Sequence, residues 1–292
     1  IAHVKEQNLK GTNFLMNAER VYAYPGYASH ILGQTGPIYS EEWEYYNEQG
    51  YLMNATVGKS GCEYAFESYL RGVDGKLRIQ LDAAGNVIHT EVLQAPVPGN
   101  DVYLTIDIDL QIAAEDGLRE NVQFVTDRSA GYAMYGAGCD AGAAVAMDPE
   151  TFEVLAIASY PTYDLNTFFE EYDHLLTTEH NPLLNRALTG LYPPGSTYKM
   201  SMVVAGIDSG EIKPNTYIED KGVFTKYAGF SPKCLRYSSQ GKTHGSIDCT
   251  DALKCSCNYF FYVLGDKVGL SDMDDTAKGL GLGESTGIEL YE

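Results

Sequence analysis

An α+β chain built in two parts is predicted by three features of the sequence. Short segments of mixed and alternating character precede residue 99, a Pro96-Val97-Pro98-Gly99 linker interrupts them, and continuous apolar runs stand among helical stretches beyond it. Alternation of period two marks strands, a period near 3.6 marks helices, and a proline-rich break between such regions marks a boundary. One domain is therefore expected over residues 1–98 and a second over residues 99–292.

At 44% hydrophobic and 21% charged residues the chain has the means to bury a core, so disorder is excluded. Forty acidic against twenty basic residues leave a net charge of -20. Nucleic acid is excluded as a partner on that ground, because affinity for a phosphate backbone rests on Lys and Arg. No apolar run approaches the roughly 18 residues of a membrane-spanning helix, and the N-terminus lacks a basic-then-apolar signal pattern. The chain opens without Met and stops at Tyr291-Glu292 without an obvious terminal element, which reads as part of a longer product.

In the first domain, Ser40 followed by Glu41, Glu42 and Trp43 and closed by Gly50 reads as a short helix with acids at its positive end. Gly58-Lys59-Ser60 is not a phosphate loop, since Met53 holds the position of the required glycine; Gly241-Lys242-Thr243 fails likewise at Arg236. Ser60 with Glu63 instead forms a capping box for a helix carrying Ala65, Phe66, Tyr69 and Leu70 and stopped at Gly72. Leu77, Ile79 and Leu81 then alternate with polar residues. Gly85-Asn86 supplies a turn, and Val87 begins the return strand of a β-rich domain.

Past the linker, Val102 to Ile106 reads as a strand, and Asp107 opens a helix through Leu110, Ala114 and Leu118. Asp107 and Asp109 are explained by capping and need no metal. Gly142 to Met147 and Val154 to Ser159, joined by Asp148-Pro149-Glu150-Thr151, read as a hairpin buried on both faces. From Thr250, Ala252 and Leu253 precede a polar break at Ser256-Cys257-Asn258. Phe260, Val263, Leu264 and Val268 follow it, so two helices meet at a polar joint. Asp272, Asp274 and Asp275 behind Ser271 form an acidic first turn. Gly279, Gly281 and Gly283 follow a helix rather than a strand, which argues against a dinucleotide loop.

The six cysteines, Cys62, Cys139, Cys234, Cys249, Cys255 and Cys257, lack paired C-x-x-C spacing, and the histidines do not cluster beside them. No metal and no cofactor are expected. Buried free thiols and a loop-closing Cys234–Cys249 bridge both fit; Cys255 and Cys257 are too close to bridge each other easily.

The chemistry concentrates at Tyr192-Pro193-Pro194-Gly195-Ser196-Thr197-Tyr198-Lys199. A helix starting behind the Pro-Pro-Gly turn carries Ser196 in its first turn, and three residues bring Lys199 onto the same face. A serine hydroxyl needs a base, and a lysine serves as one only when burial or a nearby cation lowers its pKa. Ser256 and Asn258 at the helix joint supply a second hydroxyl able to relay a proton and an amide able to orient an amide substrate. A cap and a structural hydrogen bond explain the same two residues equally well by spacing alone.

Ser-Thr-Tyr-Lys followed by Ser-Cys-Asn resembles the first two signature motifs of penicillin-binding proteins and serine β-lactamases. The stretch from Ala141 to Phe168, the segment LNRALTGLYPPGSTYKM, and His244-Gly245 followed by ALKCSCNYFFYVLG are similar to the transpeptidase domain of class B penicillin-binding proteins. ASHILGQTGPI, GKSGCEYAFESYLRGVDG and PGNDVYLTIDIDLQ are similar to its non-catalytic pedestal domain and junction, and the GKSG…LRG form resembles the elongation-type subgroup. The resemblance implies an antiparallel sheet with a helical subdomain behind a β-rich, dimerisation-like pedestal. It implies Ser196 as the residue acylated by a D-Ala-D-Ala stem peptide or a β-lactam, Lys199 as base, Ser256 as proton relay and Asn258 as substrate-binding amide. Peptidoglycan stem peptides and cell-wall synthesis proteins are the implied partners. The implied place is the extracytoplasmic face of a bacterial membrane, reached by an anchor outside this sequence.

Two departures qualify the likeness. Leu235 follows Cys234 where the family often has tryptophan, and no Lys-Thr-Gly or Lys-Ser-Gly lies downstream of Ser256. In the family that third motif forms one wall of the cleft and part of an oxyanion hole, a feature worth ~10²–10³ in rate per donor. The chain is therefore expected to be an incomplete transpeptidase, weak or inactive alone. A β-lactamase or D,D-carboxypeptidase on the same scaffold, and a non-catalytic scaffold of the cell-wall machinery, are the competing readings.

Overall fold

The structure, a computed structural model, describes residues 20–83, 85, 87–129 and 138–292. Among these the chain divides into two compact units: one runs to Gly190 and takes in Glu289–Glu292, and the other spans Leu191–Ile288.

In the first unit, α1 (Ser29–Leu32) leads into β1 (Thr35–Pro37), and α2 (Trp43–Glu48) lies between β1 and its antiparallel partner β2 (Thr56–Gly58). Ile38, Tyr46, Tyr51 and Val57 bury one another there. Next come α3 (Gly61–Ala65) and α4 (Glu67–Leu70), broken at Phe66. The expected capping box does not form. Ser60 occupies the cap with extended backbone, but its hydroxyl donates to Gln34 Oε1 at 2.5 Å, and Glu63 pairs with Arg20 at 2.7 Å. Partners distant in sequence have displaced the local pairing.

Strands β3 (Lys76–Leu81) and β4 (Val87–Gln94) pair antiparallel, with Ile79 opposite Thr90. The hairpin is present as expected, although alternation here does not mark a buried face: Leu77, Ile79 and Leu81 are all exposed. Asn86 of the expected turn lies outside the described residues.

Val102 to Ile106 forms no strand. Beside the later hairpin, Thr105 Oγ1 donates to Val154 O at 2.6 Å, and the Asp107 amide just past the segment donates to Leu155 O at 2.9 Å. These contacts do not continue into a ladder. Asp107 does start a helix, α5 (Ile108–Ser129), its carboxylate accepting from Leu110 N at 3.0 Å.

Helix α5 packs on β5 (Gly142–Met147) and β6 (Val154–Tyr160), which form the expected antiparallel hairpin with Val145 opposite Ile157. Burial on both faces holds for β6, where Ala156, Ile157, Ala158 and Ser159 are buried, and not for β5. β5 alternates between half-buried and exposed positions, and among the described residues it pairs only with β6.

A fully buried Gln111 ties these elements together: its amide accepts from Ile157 N at 2.8 Å and donates to Ile157 O at 2.7 Å and Glu115 Oε1 at 2.6 Å. Glu115 Oε1 in turn accepts from Ala28 N at 2.7 Å, so the start of α1 is fastened to α5 and β6. Helix α6 (Phe168–Thr177) buries Phe168 and Leu175 with Tyr163 and Leu165, and α7 (Arg186–Thr189) contacts β5 and β6.

The second unit begins with a 3-10 turn, Gly195–Tyr198, that runs into α8 (Lys199–Asp208). Strand β7 (Ile218–Asp220) and, past α9 (Leu235–Gln240), β8 (Gly245–Ile247) pair antiparallel with Ile218 opposite Ile247. Helices α10 (Cys249–Lys254) and α11 (Asn258–Gly279) follow, meeting at the polar joint expected of them. Asp248 caps α10 by accepting from Asp251 N at 2.9 Å.

The unit's core forms where α8 crosses α11, around Met202, Ala205, Phe260 and Leu264. Gly206 permits that approach, because a Cβ there would stand 2.7 Å from Leu264 Cδ1. Helix α11 breaks at Gly269 (φ 79, ψ 169), and the expected acidic turn of Asp272, Asp274 and Asp275 opens the segment beyond it. Among the described residues no helix is long and apolar enough to cross a membrane.

Candidate active site

Ser196, Lys199, Ser256 and Asn258 converge in the second unit. Ser196 lies in the 3-10 turn rather than in a regular first α-turn, and Lys199 is the first residue of α8. Gly195 makes the turn possible with φ 59, a left-handed conformation that a side chain would strain. Thr197 Oγ1 donates back to Pro194 O at 2.6 Å and closes the turn. Opposite, the α10–α11 joint presents Ser256, and Asn258 is the first residue of α11.

Lys199 Nζ donates to Ser256 Oγ at 2.9 Å, Ser256 O at 3.0 Å and Asn258 Oδ1 at 2.6 Å. Ser256 Oγ lies 3.0 Å from Ser196 Oγ. The link from the exposed Ser196 to Lys199 thus passes through the second hydroxyl. Burial holds the Lys199 ammonium below its ordinary pKa, opposed by the nearby thiols of Cys257, Cys234 and Cys255. A lowered lysine pKa raises the fraction of neutral amine at neutral pH, the form that accepts a proton. With Lys199 neutral, the same two contacts form a path along which a proton can pass from Ser196 to Ser256 and on to the amine.

A second cluster adjoins this joint. The donor atoms of Asp220, Cys234, His244 and Cys257 all lie within 4.8 Å of one another. His244 Nδ1 is 2.9 Å from Asp220 Oδ2 and 3.6 Å from Cys234 Sγ, and Cys234 Sγ is 3.8 Å from Cys257 Sγ. Burial raises the Asp220 carboxyl, but the amides of His244 and Gly222 bring it below its ordinary pKa. Burial pushes the Cys257 thiol up to about 12.

Sequence spacing pointed away from a metal. The fold nonetheless assembles two thiols, an imidazole and a carboxylate, a donor set that fits a four-coordinate zinc ion. The donors come from four separate places in the chain, Asp220 at the end of β7 and Cys234, His244 and Cys257 each just ahead of an element, so no short motif announces them. Cys234 faces Cys257 rather than Cys249, whose thiol donates to Pro214 O at 3.5 Å; Cys255 is exposed, and Cys62 is buried.

Residues 142–292 match the penicillin binding protein transpeptidase domain, and residues 1–104 match the penicillin-binding protein dimerisation domain. The chain is 31% identical to the peptidoglycan D,D-transpeptidase MrdA of Acinetobacter baumannii over 97% of its own length and 42% of the relative's. It is also 31% identical to MrdA of Escherichia coli K12, over 99% and 44% respectively. A solved complex of penicillin-binding protein PBP2 with MreC from Helicobacter pylori superposes with a TM-score of 0.79 at 28% identity, covering 99% of this chain and 50% of that one.

The chain belongs to the penicillin-binding protein transpeptidase family. Its mixed helix and sheet content agrees with the α+β class read from the sequence. It spans less than half the length of these curated relatives.

Proposed function

We propose that this chain carries the nucleophile and proton relay of a peptidoglycan D,D-transpeptidase. Ser196 attacks the carbonyl of the penultimate D-Ala of a stem peptide, its proton passes through Ser256 to neutral Lys199, and D-Ala leaves after taking a proton back along the same route. An amine from a neighbouring stem then displaces Ser196 to give the cross-link, while Asn258 orients the donor peptide. A β-lactam acylates the same hydroxyl.

The observation that carries this reading is the chain of contacts from Ser196 Oγ through Ser256 Oγ to a lysine whose pKa burial lowers. The match to a dimerisation domain ahead of the site favours a transpeptidase over a β-lactamase or carboxypeptidase, and the convergence of Ser196, Ser256 and Lys199 argues against a purely scaffolding role.

We further place the domain boundary at the Pro96–Gly99 linker and the protein at the extracytoplasmic face of the cell membrane. Its proposed partners are peptidoglycan stem peptides and other cell-wall synthesis proteins, the latter by analogy with the Helicobacter pylori relative and its MreC partner. The test is labelling of the whole protein with a fluorescent penicillin. Wild type is labelled covalently, Ser196→Ala is not, and retained labelling of Ser196→Ala overturns the assignment.

A further inference from the structure

We propose that Phe261 is a positioning residue of this site, its ring face stabilising the positive charge that develops on Lys199 as the amine takes the relayed proton. Lys199 Nζ stands over the Phe261 ring, 5.3 Å from its centroid. That is within the roughly 6 Å over which an aromatic face attracts a cation. The inference rests on the proposed function, because it assigns the charge to a step of that reaction.

The sequence places the ring there. Phe261 follows Asn258 by three residues in the first turn of α11, so the two side chains share a face of the helix. A long side chain on a helix leans back over the preceding turn, which carries the ring toward the joint where Ser256 and Asn258 hold the amine. Phe261 is buried, and Phe260 meets it edge-on with centroids 5.4 Å apart and planes at 63°. Packing therefore sets which way the ring faces.

The acceptors around Lys199 explain why a ring suits this place. They are a backbone carbonyl, a hydroxyl and an amide oxygen, all neutral, and among the described residues no carboxylate pairs with this lysine. A carboxylate would hold the amine protonated before the reaction starts. The ring's quadrupole attracts the ammonium modestly and the neutral amine far less, so its help is concentrated in the step that creates the charge. In that step the Ser196 oxygen bonds to the substrate carbonyl carbon, whose π electrons move onto the carbonyl oxygen. Ser196 hands its proton to Ser256, Ser256 hands its own to Nζ, and the amine becomes an ammonium. The positive charge formed on nitrogen balances the negative charge formed on the carbonyl oxygen.

The test replaces Phe261 in the full protein with phenylalanines carrying one, two and three ring fluorines, which barely enlarge the ring and draw electrons away from its face. The limiting rate of acylation by a fluorescent penicillin should fall with each fluorine. At three it should lie about two- to fivefold below wild type, the equivalent of ~0.5–1 kcal/mol. The penicillin concentration giving half that rate should not move, since Phe261 acts through Lys199. Phe261→Leu should lose about as much, and Phe261→Tyr should restore the rate. A rate indifferent to fluorine, a drop at the first fluorine that goes no further, or an effect confined to the half-saturating concentration overturns the charge role. In the unreacted protein the ring should shift the Lys199 Cε protons upfield by nuclear magnetic resonance, and Phe261→Leu should abolish that shift; protons at their ordinary position overturn the contact itself. A wild type that penicillin does not acylate overturns the proposed function and the reaction role of Phe261 with it, while the proton shift still decides the contact.

Discussion

Asn258 Oδ1 accepts from Lys199 Nζ at 2.6 Å, the shortest of the three contacts that hold this amine. A neutral acceptor at that distance positions the lysine without adding a charge that would favour its protonated form. Asn258→Asp adds that charge. An opposite charge within hydrogen-bond distance raises a lysine pKa, typically by about 1–3 units, so neutral amine appears only at higher pH. The acid limb of the penicillin acylation profile should shift to higher pH by about a unit or more. An unshifted limb would show that Lys199 does not set the pH dependence.

His30 is expected to make stability depend on pH. Its Nε2 lies 2.8 Å from Pro182 O, and its ring packs edge-on against Tyr163. Burial lowers its pKa from 6.5 to about 4, with Arg186 pushing the same way and the Pro182 carbonyl opposing. The unfolded chain therefore binds more protons between about pH 4 and 6.5, so stability rises with pH across that window. The full effect is up to about 3 kcal/mol. Urea unfolding between pH 4 and 7 should show this rise in wild type and a flatter curve in His30→Gln.

Gln111→Ala should destabilise the first unit by about 2–4 kcal/mol, because it strands the amide and carbonyl of Ile157 and removes one donor to Glu115. The substitution also opens a cavity where the side chain was fully buried. Chemical denaturation measures the loss, and a change within about 0.5 kcal/mol would show that the surrounding strands and water compensate.

The convergence of Ser196, Lys199, Ser256 and Asn258 was legible in the sequence because its parts are local. A serine and lysine three residues apart on a helix, and a serine and asparagine at a helix joint, need only the fold to bring two short motifs together. The α5 start at Asp107 and the β5–β6 hairpin were legible for the same reason. Gln111 was not, since its partner Ile157 lies on a strand far along the chain and a glutamine on a helix reads as surface. The cluster of Asp220, Cys234, His244 and Cys257 escaped likewise, its donors coming from separate places along the chain. Ser60 and Glu63 show the reverse case, in which a correct local pattern lost to the more distant partners Gln34 and Arg20.

Ser256 sits at φ 51, a left-handed backbone conformation that costs a serine of order 1 kcal/mol relative to glycine. The joint between α10 and α11 would fold more comfortably with glycine, and the hydroxyl facing Ser196 and Lys199 would then be gone. The position is locally frustrated: what the backbone prefers and what the proposed relay requires are different amino acids. Ser256→Gly should accordingly melt at a higher temperature than wild type and acylate more slowly. Under the proposed function, resistance to heat and speed of acylation are rival outcomes of a single codon, so variants selected for robustness alone would drift toward a better-folded chain that acylates more slowly.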